Sequence, residues 1–250
     1  MKAHTILIGI LTLASSPSAA LADDFNLPAP ATGSMGPSEK LWSTHYYVST
    51  ADTVPNGVEM RARDGSKLGY RVSAERFCFG ALQGTVRVRT GANSVVFNAN
   101  GLTTDSGAKC NYKSLSPRVN ARLSRQAFIA VPTGAPHGLG MGGYRLVPYR
   151  TIAVDKAHVG RAYFIPALRG LTIDSGVETT PDGMSFVHDG YVFGADVGGA
   201  IQYPHIDFFT GFSHLPPPPF VKSSPKSTFT AYRVTDPAII AKLKKMHAIK

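Results

Sequence analysis

From Leu41 to Val234 the apolar residues come in short runs, and no run is long enough for a helix of ordinary length. LWSTHYYVSTA, GTVRVRT, SVVFN, QAFIAV, TIAV, YVFGA and HIDFF are rich in β-branched and aromatic residues, and Gly, Pro, Asn or Asp punctuates the intervals between them. Side chains alternate sides along a strand, so runs of this length and composition predict strands. Many short strands with frequent turn signals and almost no 3.6-residue periodicity predict an all-β barrel or sandwich.

Taken in order, the first strand places Thr44, Tyr46 and Val48 on one face and His45 and Tyr47 on the other. Asn56-Gly57 and Asp64-Gly65 are turn signals bracketing a short hairpin-like segment. Residues 71–80 read as one short helix capped by Ser73. In GTVRVRT, Val86 and Val88 face inward while Arg87 and Arg89 face out, onto a solvated sheet face or to grip an anionic glycan, and SVVFN is the hairpin partner. TGAPHGLGMGGY holds five glycines and is a permissive loop, but it lacks the Lys-Ser/Thr pair and following helix of a phosphate cradle. Residues 169–190 form a polar loop with a Pro-Asp-Gly turn, and Pro216 to Pro219 impose an extended connection. Asp236-Pro237 opens a terminal basic helix over residues 236–250.

The two ends bound the compartment. A single Lys2, an apolar stretch from Ile6 to Ala14 and small residues ending at Ala22 make residues 1–22 a secretory signal peptide. Residues 23–40, rich in Pro, Ala, Gly and Ser, read as a flexible leader. No later stretch reaches the roughly 18 apolar residues of a membrane span, so a periplasmic or secreted protein is expected. The formal net charge of +10 favours an anionic partner, such as a wall polymer, lipid headgroups or nucleic acid, and fits equally well an ordinary basic exported protein. The two cysteines, Cys78 and Cys110, are expected to form a disulfide in an oxidising compartment.

The chemistry concentrates in Asp155, Asp196 and Asp207, each beside a strand-like run. The period of two places His205, Asp207 and Phe209 on one face of HIDFF. Bulky apolar neighbours disfavour the charged form of Asp207 and raise its pKa towards that of a useful general acid, and an approaching Asp196 would raise it further. Two carboxylates are the usual equipment of glycoside cleavage. Asp at a strand end equally often satisfies turn backbone donors, and for any one of the three taken alone that structural role stands beside the catalytic one. His158, His188, His205 and His214 lack close metal-ligand spacing, so no metal is expected, and no nucleophile elbow is present.

LVPYRTIAVD, YVFGADVGGAI and HIDFFTG, in this order, resemble the three signatures of the 3D domain, named for three aspartates. This domain occurs in membrane-bound lytic murein transglycosylase A and in stand-alone exported proteins. The likeness spans about residues 143–212, and THYY resembles the family's first barrel strand. It implies a six-stranded double-psi β-barrel that cleaves the MurNAc–GlcNAc bond of peptidoglycan without water and leaves a 1,6-anhydro-muramyl product. On this resemblance Asp207 is the acid and base, supported by Asp196 and Asp155. Thr44, Gly198, Gly199, Gln202 and His205 face the substrate. The partner is a peptidoglycan glycan strand rather than nucleic acid, and no cofactor is needed.

The implied layout is a first barrel strand over residues 41–54, an inserted β-rich subdomain over 55–140, the barrel over 141–235 and the short C-terminal helix. Two departures stand out. Gln202-Tyr203-Pro204 replaces the Lys-Gly common in relatives, and DKAHVGRAYF is about two residues shorter than the usual turn.

Overall fold

The computed structural model describes residues 25–104, 107–174, 185–212 and 215–249. The signal peptide, the Pro-Asp-Gly turn and His214 lie outside the described residues. The fold is mostly β with few helices. In chain order the elements are β1 (Met35–Arg61), β2 (Lys67–Val72), α1 (Ala74–Gln83), β3 (Thr85–Thr90), β4 (Asn93–Leu102), α2 (Pro117–Ser124) and β5 (Gln126–Ala130). The second half holds β6 (Thr151–Val154), β7 (Ala162–Phe164), β8 (Thr172–Asp174), β9 (Ser185–Val187), β10 (Tyr191–Val197), β11 (His205–Phe212), β12 (Phe229–Val234) and α3 (Pro237–Met246).

Six strands form a closed ring. Its order is β11-β6-β10-β7-β12-β1, and β1 pairs back with β11 in parallel. Closure leaves these strands without a free edge at those pairings. Inside lie Leu41, Ile152, Val192, Ile206, Phe208 and Ala231, all buried.

β1 runs far beyond the strand expected from LWSTHYYVSTA because it serves two sheets. Its early residues pair with β12 and β11, and Ser49 to Asp52 then pair in parallel with β3. β3, β4 and β5 continue that second sheet antiparallel, and β2 folds back on the end of β1. Asp64-Gly65 makes that turn, with the Ser66 N–H donating to Asp64 Oδ1 at 2.9 Å. Asn56-Gly57 makes no hairpin; it lies within β1, where the register against Val72 slips. Thr53 and Val58 share Val72 as register partner, so the residues between them bulge out of the ladder and the turn signal bends the strand without closing a hairpin.

α1 starts on Ser73, whose side chain accepts from the Arg76 N–H, and ends on Gly84 in the left-handed conformation. It packs Phe77 and Ala81 against Val86, Val88, Phe97 and Phe128. The expected Cys78–Cys110 disulfide is present and ties α1 to the loop before α2. In the chain-entropy account, closing a loop of that length contributes about 3–4 kcal/mol. Replacing both cysteines by alanine is therefore expected to lower the unfolding free energy by about 3 kcal/mol, measured by urea titration under oxidising conditions. An unchanged midpoint would refute the contribution.

The leader expected over residues 23–40 is not flexible where it is described. Phe25 and Leu27 are buried, and β1 already begins at Met35. Phe25 stacks on Phe186 with ring centroids 4.1 Å apart. The Leu27 N–H donates to Asp189 Oδ2 at 3.0 Å, and the Tyr191 hydroxyl donates to the Pro28 carbonyl. Composition suggested looseness, but two buried apolar side chains contribute about 1.5–3 kcal/mol each towards the cost of ordering the segment, alongside its hydrogen bonds to Asp189 and Tyr191.

α3 is the expected terminal helix, capped by Asp236 and buried through Ile239 and Leu243. No described helix is long and apolar enough to cross a membrane.

Candidate active site

Asp207 and Asp196 share one cross-strand row. Asp207 of β11 and Asp196 of β10 are both register partners of Ala153 on the intervening β6, and Thr44 of β1 pairs with Asp207 on its other side. Register partners point to the same side of a sheet, so the row presents Thr44, Asp207, a methyl group and Asp196 together. Both aspartates line a cleft of about 380 Å³ with Tyr46, Ala153, Gly198 and Gly199. Its remaining wall comes from the end of α1, from β4 and from the glycine loop: Leu82, Gln83, Asn98, Gly140 and Met141. Two larger hollows, of about 690 and 630 Å³, hold at most one carboxylate, Glu59.

The strand alternation expected for HIDFF holds. Ile206 and Phe208 enter the ring core, while Phe209 joins a separate cluster with Tyr46, Val48, Leu146 and Phe212 beneath the aspartates. This apolar floor perturbs the carboxyls. Burial pushes Asp207 up to about 7, against a hydrogen bond from Thr44 and with a further push from the Asp196 charge. Burial also raises Asp196 to about 6, opposed by the Val197 N–H and the Tyr46 hydroxyl. Thr44 Oγ1 donates to Asp207 Oδ1 at 2.7 Å, and the same oxygen lies 2.9 Å from His205 Nε2. Tyr46 donates to Asp196 Oδ2 at 3.0 Å. Both carboxyls thus hold a proton well above the ordinary aspartate range, and the Asp196 charge bears on Asp207. Asp196→Asn removes one neighbouring negative charge, so the Asp207 midpoint is expected to fall below 7 while staying above an ordinary aspartate. Carboxyl carbon NMR titration reads this directly, and an unmoved midpoint would show that the two groups do not interact.

The third aspartate does something different. Asp155 is not among the residues lining the cleft. It caps the turn at residues 156–158, accepting from the Ala157 N–H at 2.9 Å, and its Oδ1 lies 2.6 Å from His158 Nδ1. The His158 hydrogen bond, opposed by slight desolvation, holds its carboxyl below the usual range. Asp155 Oδ2 accepts from the Tyr203 N–H, and Tyr203 stacks on His158 with centroids 4.8 Å apart. The Tyr203 hydroxyl also donates to Glu39. Asp155 therefore braces the Gln202-Tyr203-Pro204 link that leads into β11. Gln202 is exposed and outside the cleft, touching β11 through its carbonyl, which accepts from the His205 N–H.

Gly198 and Gly199 both line the cleft, for unlike reasons. A methyl on Gly198 would collide with the Ile201 side chain, whereas Gly199 faces open space. The tightest approach lies at Gly140, where a Cβ would collide with the Ala195 carbonyl oxygen. Only glycine lets the loop pass over β10 beside Asp196. Asn98 fixes that loop by accepting from the Leu139 N–H and donating to the Leu139 carbonyl.

Sequence reasoning missed Tyr46, Trp42, Gln83 and Gly140 as site residues. The first two were within reach: the period of two that puts Thr44 on one face also puts Trp42 and Tyr46 there. Trp42 stacks on His205 with centroids 3.6 Å apart. Gln83 and Gly140 approach the aspartates only through tertiary packing. Among the described residues no three His, Cys, Asp or Glu side chains gather as a metal site.

No protein-family model matches the chain, and no curated sequence does. Its fold resembles that of solved lytic transglycosylases at low identity. It is similar to Escherichia coli MltA with bound chitohexaose, at 13% identity and a TM-score of 0.48, covering 78% of this chain and 71% of that one. A membrane-bound lytic murein transglycosylase from Agrobacterium tumefaciens matches at 13% identity and 0.45, covering 82% and 77%. MltA from Neisseria gonorrhoeae matches at 11% and 0.42, covering 79% and 72%.

Proposed function

We propose that this chain is a peptidoglycan lytic transglycosylase with Asp207 as its acid and base. The observation behind this reading is the buried Asp207 carboxyl, pushed up to about 7 beside a second carboxylate in an open cleft. A group that is part protonated and part ionised near neutrality can give a proton and take one back. The three ordered aspartate signatures in the sequence suggest the substrate.

The steps balance without water. Asp207 donates its proton to the glycosidic oxygen as the bond from that oxygen to the muramyl C1 breaks, and the leaving sugar departs as an alcohol. Positive charge at C1 and the ring oxygen is stabilised by ionised Asp196 and by the new Asp207 carboxylate. That carboxylate then takes the proton of the muramyl 6-hydroxyl as O6 bonds to C1. The product is a 1,6-anhydro ring, and Asp207 is protonated again.

Thr44 suits both halves of this cycle. Its hydroxyl donates to Asp207 when the carboxyl is ionised and can turn to His205 Nε2 when Asp207 holds the proton. Asp155 acts at a distance by holding the link before β11.

On this reading the six-stranded ring is a double-psi β-barrel. The sheet of β3, β4 and β5, with α1 and α2, is the inserted subdomain, and the cleft between the two receives a glycan strand. The protein is exported to the periplasm or released, which suits its disulfide. No cofactor enters the scheme.

The experiment is digestion of purified sacculi by the wild type and Asp207→Asn, with mass analysis of the products. Anhydro-muropeptides from the wild type alone support the reading. Hydrated reducing ends select a hydrolase using the same aspartates, and no release by either protein leaves a glycan-binding module.

A further inference from the structure

Gln83 is the last residue of α1 and lines the same cleft as the aspartates. Its side-chain oxygen accepts from the Tyr47 N–H at 3.0 Å. A backbone N–H must be met by an oxygen, so this bond fixes which end of the amide is which. The amide nitrogen is therefore left as a donor. The other side-chain amide nitrogen of the cleft, on Asn98, already donates to Thr85 Oγ1 and to the Leu139 carbonyl. The Tyr46 hydroxyl is spent on Asp196. The remaining charged groups, Asp196 and Asp207, are carboxyls.

The same cleft also carries two exposed apolar side chains. Leu82 and Met141 are each 42% exposed and line the same cleft from α1 and from the glycine loop. A neutral N–H donor flanked by apolar surface fits a carbonyl oxygen joined to a methyl group: the oxygen accepts from the amide, and the methyl leaves water against Leu82 and Met141. A plain hydroxyl in that place would offer the donor an oxygen but leave the apolar pair wet.

We propose that Gln83, with Leu82 and Met141, reads the 2-acetamido group of an N-acetylhexosamine unit lying against the aspartates. This rests on the glycan reading of the cleft and adds the residues that select the acetylated sugar. It also gives the disulfide a functional consequence, since Cys78 anchors the helix that presents Leu82 and Gln83.

The test measures binding of chitohexaose and cellohexaose, which differ at C2 by an acetamido group against a hydroxyl, using calorimetry on the full chain. Gln83→Glu keeps an oxygen for the Tyr47 N–H and removes the donor; Gln83→Met removes both. Each is expected to weaken chitohexaose about 5- to 10-fold and leave cellohexaose within about twofold, a change in ratio that a general loosening of α1 would not produce. Leu82→Ser is expected to shift the ratio in the same direction.

An unchanged chitohexaose-to-cellohexaose ratio in both Gln83 variants would overturn the assignment. If the wild type nevertheless releases anhydro-muropeptides, the function stands and only the acetamido reading falls. If the wild type binds neither oligosaccharide and releases nothing from sacculi, the glycan reading falls with it.

Discussion

Asp207→Asn is expected to release muropeptides about 10³-fold more slowly than the wild type, in the range usual for loss of a positioned acid and base. The variant should remain folded, because asparagine is nearly isosteric and can still accept from Thr44. In the wild type the rate should fall as pH rises past about 7, where Asp207 loses its proton. Asp196→Asn should move that descending limb to lower pH, since the neighbouring negative charge is one cause of the raised value.

Stability carries an independent signature. The folded-state pKa of Asp207 is raised, so the native protein holds a proton that the unfolded chain releases near pH 4. Its contribution is present in full below that value and is lost as pH rises through about 7. Asp207→Asn removes this loss, so relative to the wild type it should be more stable at pH 8 than at pH 5. Equal differences at both pH values would mean that the carboxyl does not titrate as described.

The largest loss of stability is expected from Arg150→Met. Arg150 is wholly buried, immediately before β6, and it holds Asp189 with two bonds of 2.6 and 2.9 Å. Its guanidinium also donates to the Tyr191 carbonyl at 2.6 Å and lies 4.3 Å from the Phe25 ring centroid. Asp189 in turn accepts from the Leu27 and Tyr191 N–H groups. Burial alone would raise the Asp189 carboxyl, but Arg150 overcomes it and holds the group below the ordinary value.

Removing the arginine leaves that carboxylate buried and unpaired, at a cost of about 3–5 kcal/mol. For a chain of this size the melting temperature should fall by roughly 10 °C. Arg150→Met with Asp189→Asn should recover part of the loss, because the stranded charge is gone. A single variant melting within about 2 °C of the wild type would show that the pair is not holding the segment at Phe25 to the ring.

Much of the fold was legible along the chain because strand periodicity is local. The faces of LWSTHYYVSTA and HIDFF, the Ser73 cap, the Val86 and Val88 alternation and the Asp236 cap all follow from neighbours within a few residues. Two readings failed where distant contacts overrode local composition. The Pro- and Ser-rich leader was expected to be loose, yet Phe25 and Leu27 find buried sites beside Arg150 and Asp189. Asn56-Gly57 was expected to turn a hairpin, yet it lies in a bulge within β1, because Thr53 and Val58 on either side of it both pair with Val72.

The aspartates divide along the same line. Sequence alone determined that Asp207 shares a strand face with His205 and Phe209, because that depends on a period of two. It also marked Asp196 and Asp155 as neighbours of strands. Only the tertiary structure decided that Asp207 and Asp196 flank the single methyl group of Ala153, while Asp155 lies outside the cleft and braces Tyr203. Which strands stand side by side in a closed ring, and which helix end comes to face them, depends on pairings between residues that are dozens of positions apart and, for β1, more than a hundred, and no local pattern encodes these.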